Sequence, residues 1–134
     1  MIPAAVRDEI VAHARAGLPN EACGILAGSG DRVERFYPAE PDEPSPFYYR
    51  IESRDQIRIM NAIDDEGLDL VGIYHSHPFT RAYPSATDLA QAWEGLVYVI
   101  VSLRDFLQPM VKAFTVADGA VSEQPIEIVD PTTG

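Results

Sequence analysis

Apolar residues along this chain recur with two periods, and the switches between them mark out the elements. Val6, Ile10, Val11 and Ala14 keep the spacing of one buried helical face, which predicts a helix over residues 2–16 with Pro3 in its first turn. Gly17-Leu18-Pro19 stops it. Short apolar runs bounded by turn residues follow. Residues 21–27 and 33–37 read as two strands of a hairpin turning through Gly28-Ser29-Gly30-Asp31. A proline-rich connector, residues 38–46, leads to a predicted strand at 47–51. Ser53-Arg54-Asp55-Gln56 has the form of a capping box for a second helix, with Ile57, Met60 and Ile63 inward and Gly67 at its end. Residues 68–74 make a buried strand, residues 86–93 a third helix, and residues 96–102 a central strand rich in β-branched side chains. Strands at 110–116 and 120–128, joined by a tight turn at Ala117-Asp118-Gly119, close the sheet. This order predicts an α/β fold of three layers, with helices packed on both sides of a mixed, largely antiparallel sheet.

Composition adds limits. At 134 residues, 46% of them hydrophobic and 23% charged, the chain suits one globular domain over residues 1–130, with a loose tail at 131–134. Acidic residues outnumber basic ones 21 to 10, a balance that repels nucleic acid and anionic membranes and argues against both as partners. No apolar run reaches the length of a membrane helix and no signal peptide opens the chain, so a cytoplasmic location is expected. A lone cysteine, Cys23, has no partner for an internal disulfide, in keeping with a reducing compartment.

The candidate chemistry sits at the end of the buried run, in His75-Ser76-His77-Pro78. On a strand, residues i and i+2 share a face, so His75 and His77 project side by side. Neutral imidazoles in that arrangement suit Zn²⁺, and a carboxylate from the following turn can add a third ligand while water takes the fourth position. Each part also has an ordinary reading. A His-x-His pair occurs in cores and on surfaces without a metal, and Ser85-x-x-Asp88 fits a capping box for the third helix. Glu21 is either an acid at a strand end or one employed in chemistry, since a buried carboxylate is costly unless paired or used. His13, with no second ligand type near it in sequence, reads as a boundary histidine. Cys23 reads as a small apolar core residue.

Taken together, Glu21, then His75-x-His77-Pro78, six residues, Ser85, two residues and Asp88, resembles the Glu…His-x-His…Ser-x-x-Asp motif of the JAMM (MPN+) zinc metallopeptidases. That resemblance spans nearly the whole chain. It implies a fold similar to the cytidine deaminases, one catalytic Zn²⁺ on His75, His77 and Asp88, and Glu21 as general base and then acid. It also implies Ser85 as a donor to the oxyanion. The small size, together with Asn20-Glu21-Ala22-Cys23-Gly24 and Asp118-Gly119-Ala120-Val121…Glu123-x-Pro125, looks like the bacterial Mec-type branch. Members of that branch release cysteine from the Gly-Gly C-terminus of a ubiquitin-like sulfur carrier, CysO, in cysteine synthesis. A CysO-like carrier is therefore the expected partner. The loop 78–84, with Phe79, Arg81 and Tyr83 beside the metal, is expected to grip the substrate's tail. Three alternatives remain: an isopeptidase of the deubiquitinase type or a protease that matures carrier tails, a small-molecule zinc hydrolase, and a scaffold without catalysis. The missing Pro-Cys-x-x-Cys pair weighs against deaminase chemistry.

Overall fold

The structure, a computed structural model, describes residues 1–30 and 32–129. A short strand β1 (Ile2–Pro3) precedes helix α1 (Ala4–Ala16) and the hairpin β2 (Cys23–Ser29) and β3 (Arg32–Ala39). Helix α2 (Ser53–Asp65), strand β4 (Asp69–His77) and helix α3 (Ala86–Gln91) follow, then β5 (Val97–Ser102), β6 (Met110–Ala117), β7 (Ala120–Gln124) and β8 (Ile128–Val129). Six strands form one sheet in the order β3-β2-β4-β5-β6-β7, and β1 pairs with β8 in a small second sheet. Only β4 and β5 run parallel within the large sheet, so the mixed, largely antiparallel layer is as the patterning predicts.

Strand alternation gives the sheet two buried faces. On one, Val6, Ile10 and Ala14 of α1 pack with Leu26, Tyr74, Val99 and Val101. On the other, Ile59 and Ile63 of α2 pack with Cys23, Ile25 and Ala27. Burial of strands from both sides explains why β2 and β5 read as continuous apolar runs. The parallel pair needs a close approach at its start, where Gly72 faces Val97. A Cβ at Gly72 would collide with the Val97 carbonyl, which is backbone and cannot swing away. Gly72→Ala should therefore cost about 2–3 kcal/mol, read as a lower urea midpoint with an unchanged m-value.

Six local expectations are corrected. Residues 47–51 form no strand; a single bridge, Pro41 to Ile51, ties off the connector, because β3 is the sheet edge and ends at Ala39. In α2, Ile57 is 62% exposed and Ile59 takes the buried position. The cap there is Glu52, one residue earlier than expected, and its carboxylate accepts the Asp55 N–H. The third helix stops at Gln91, and the closing strand breaks after Gln124, where Pro125 cannot donate to the ladder. Glu21 also lies just outside its strand, which begins at Cys23. The tail 131–134 falls outside the described residues. No helix among those described is long and apolar enough to cross a membrane.

Candidate metal and catalytic centre

β4 carries His75 and His77 on its α2-side face, at the strand's C-terminal end. Both rings are buried, His75 almost wholly. Their Nε2 atoms stand 3.1 Å apart, and each lies 3.0 Å from the same oxygen, Asp88 Oδ2. Asp88 is held there by the first turn of α3. Its carboxylate accepts the Ser85 N–H at 2.9 Å while its own N–H donates to Ser85 Oγ at 3.1 Å. The capping box and the metal-site reading are thus the same piece of structure. Glu21 completes a group of four ligand atoms within 4.8 Å of one another.

Glu21 is placed from its backbone. Its N–H donates to Ser45 O at 2.7 Å, and the next residue, Ala22, exchanges bonds with Ser76 through Ser76 N–H to Ala22 O and Ala22 N–H to Ser76 Oγ. Ser76 points to the opposite sheet face from its histidine neighbours, so it can continue the ladder without entering the site. The Glu21 carboxylate has no such anchor. Its Oε1 is buried without a hydrogen-bond partner among the described residues. Burial pushes the Glu21 pKa up to about 8; the His77 charge opposes that rise and the Asp88 charge adds to it.

The remaining groups follow from the same contacts. Burial pushes the Asp88 carboxyl upward, but hydrogen bonds from His75 and His77 outweigh it and hold the group well below the usual carboxylate range. For His75, burial wins over its Asp88 bond and favours the neutral ring. Burial also opposes charge on His77, yet its bonds to Asp88 and to Arg81 O together raise its pKa. His77 Nδ1 lies 2.9 Å from Arg81 O, where it acts as donor, leaving Nε2 as the atom that faces Asp88.

This donor set fits a metal. Two imidazole nitrogens and one carboxylate oxygen form a triangle with edges of 3.0–3.1 Å. A tetrahedral zinc with bonds near 2.0–2.1 Å needs edges of about 3.3 Å, a few tenths of an ångström wider. Buried groups so close, with Glu21 Oε1 and His75 Nδ1 left unpartnered, are costly as a core and natural as a ligand cage.

Sequence reasoning placed Glu21, His75, His77, Ser85 and Asp88, and the structure brings them together. It missed Tyr49, a buried ring stacked on His75 with centroids 4.3 Å apart at 19°. No local signal marks Tyr49 within Phe47-Tyr48-Tyr49. Cys23 stays outside the cluster, wholly buried with its thiol 3.8 Å from Ala39 O and its pKa pushed up to about 12 by burial, as suits a core residue. His13 is half-buried, its Nδ1 3.3 Å from the Tyr74 hydroxyl, the boundary position expected.

Fold and site define a class, the JAMM metallopeptidases. The family of prokaryotic homologs of the JAB domain matches residues 3–116, and the chain belongs to it. Its similarity to particular members is extensive. It is 43% identical over 133 residues, 97% of this chain and 91% of the relative, to the CysO-cysteine peptidase of Mycobacterium tuberculosis H37Rv. It is 40% identical over 109 residues, 75% of this chain and 78% of the relative, to the desampylase of Haloferax volcanii. Among solved structures, one from Desulfitobacterium hafniense matches with a TM-score of 0.85 at 37% identity, covering 96% of this chain and 90% of that one. The intact donor set, on a chain 43% identical to a peptidase, argues against the small-molecule hydrolase and scaffold alternatives.

Proposed function

We propose that residues 1–130 act as one peptidase domain, in the cytoplasm, and hydrolyse the peptide bond after the C-terminal Gly-Gly of a ubiquitin-like sulfur-carrier protein, releasing cysteine. The observation that carries this reading is the buried His75–His77–Asp88 triangle with Glu21 beside it, on a chain whose likeness to a CysO-cysteine peptidase runs almost end to end. His75, His77 and Asp88 would hold a single Zn²⁺. When bound, that ion supplies Lewis-acid polarisation of water and carbonyl, and its charge restores Glu21 to the carboxylate form.

The chain's own residues do the rest. Glu21, close to the ligand atoms and free of hydrogen bonds at Oε1, takes a proton from the attacking water and passes it to the departing amine. Ser85 Oγ already accepts the Asp88 N–H, so its hydroxyl proton is free to point at the oxyanion. One such donor is worth about 3 kcal/mol. Tyr49 stacked on His75 screens that ring from water. A second reading has a specific support, the likeness to a desampylase: the carrier's tail could be joined to a protein amine rather than to cysteine.

Intact mass spectrometry separates the two. The zinc-loaded protein should remove one cysteine from a carrier ending Gly-Gly-Cys, and a chelator should stop it. Cleavage of only the carrier–lysine conjugate would move the assignment to the isopeptidase reading, and no cleavage of either, with zinc bound, would end both.

A further inference from the structure

The loop between the two ligand-bearing elements presents an exposed cation, Arg81, that meets no carboxylate among the described residues. The Arg81 carbonyl is bonded twice, by His77 Nδ1 and by the Tyr83 N–H, each at 2.9 Å. Its guanidinium lies over the Tyr83 ring, 4.8 Å from the centroid, and that ring stands edge-on to Phe114 at 5.5 Å. The loop is pinned as well by the Ser102 hydroxyl, which donates to Thr80 O, and by buried Ala82. The Arg81 backbone is thus tied to a ligand histidine, while its exposed head rests on an aromatic shelf.

Charge sharpens the point. In a chain with 21 acids against 10 basic residues, Arg7, Arg35, Arg58 and Lys112 each meet a carboxylate. Among the described residues Arg15, Arg32, Arg50, Arg54, Arg81 and Arg104 meet none, and of these Arg81 is the one whose backbone bonds a ligand histidine. A substrate that brings a free carboxylate close to the reacting bond is held in one orientation when a cation outside the ligand cage receives it. In a carrier with one residue after the scissile bond, the α-carboxylate lies only about 4 Å beyond the scissile carbonyl, roughly one residue's advance along the chain. A longer tail or an isopeptide-linked lysine carries no charge at that place. The planar guanidinium fork matches a carboxylate.

We propose that Arg81 binds the free α-carboxylate of the leaving amino acid, so that the enzyme selects carriers ending one residue past the bond it cuts. The inference rests on the peptidase reading above. Its test is a two-by-two comparison with the zinc-loaded protein: a carrier ending Gly-Gly-Cys as the free acid or as the C-terminal amide, against wild type or Arg81→Gln. Wild type should prefer the acid by about tenfold in kcat/KM, chiefly through KM, and Arg81→Gln should bring the ratio near one. Arg81→Lys should restore part of the preference, and Arg32→Gln, at the far end of the sheet, controls for net charge. In a Glu21→Gln background, calorimetry should give the same preference as a ratio of Kd values without turnover. An acid-to-amide ratio near one in wild type, or one that Arg81→Gln leaves intact, overturns the assignment while the peptidase reading stands. Failure of wild type to cleave either form overturns both.

Discussion

Glu21→Gln is expected to lower turnover by about 10²- to 10⁴-fold, to leave zinc binding in place, and to make the metal-free protein more stable at alkaline pH. The first effect follows from the proton. Gln keeps the size of Glu21 but cannot accept a proton from water, and the other carboxylate of the cluster among the described residues, Asp88, is engaged through Oδ2 by Ser85 and both histidines. The second follows because Glu21 is not one of the three closest donors. The third comes from linkage. Burial raises the folded pKa of Glu21 from 4.5 to about 8, so the folded state holds a proton that the unfolded state has already released. The stability contributed by the neutral acid is fully present below the unfolded pKa and is lost as pH rises through the folded one. Metal-free wild type should therefore carry a loss of stability between about pH 4.5 and 8 that the Gln variant lacks, the variant keeping only the pH dependence that His75 and His77 give both proteins. At pH 8 a gain of about 1–2 kcal/mol is expected, after allowance for water at the mouth of the site, or roughly 3–6 °C in Tm. Thermal melts at pH 5 and pH 8 check the sign. Full turnover in the variant would remove Glu21 from the mechanism.

The site was legible in the sequence to the extent that it is local. His75 and His77 share a face because strands alternate, and Ser85 and Asp88 meet because a capping box spans three residues; both relations are written within a few positions of the chain. Glu21 is different. Its meeting with the histidines depends on the antiparallel register that sets Cys23 against His75, and only the family motif pointed to it. Tyr49 was illegible for a related reason. Its place on His75 is set by how the connector returns from the sheet edge, which no periodicity encodes. Ile57 and Ile59 show a subtler limit. Either isoleucine makes an apolar stripe with Ile63, and the choice between them depends on which residue faces Cys23 and Ile25 across the core. The layers of the fold, by contrast, followed from the apolar runs themselves, because strands covered on both faces admit few other arrangements.

Asp88→Ala should be the most damaging single change, with zinc affinity reduced by well over 100-fold and activity at background. A partner behind a ligand is already worth 10- to 100-fold, and Asp88 is proposed as a ligand itself. Its loss also breaks structure, because one oxygen, Oδ2, serves Ser85, His75 and His77 at 2.9–3.0 Å. Without it, the first turn of α3 has no reciprocal cap and His77, whose pKa its Asp88 bond helps raise, has no counter-charge. A destabilisation of about 2–4 kcal/mol is expected in the metal-free protein at neutral pH. Asp88→Asn separates the two roles. Its amide oxygen can still accept the Ser85 N–H, so about 1 kcal/mol of the cap should return, while the charge that zinc requires stays absent. The acid side gives an independent check. The folded pKa of Asp88 lies below its ordinary 3.8, so its contribution is present above about pH 4 and is lost as pH falls below that value. Urea titrations of wild type and Asp88→Ala should therefore diverge at neutral pH and draw together in acid. Zinc content by mass spectrometry then decides the ligand set: an Asp88→Ala protein that kept its metal would require another third ligand, and Glu21 is the carboxylate close enough to serve.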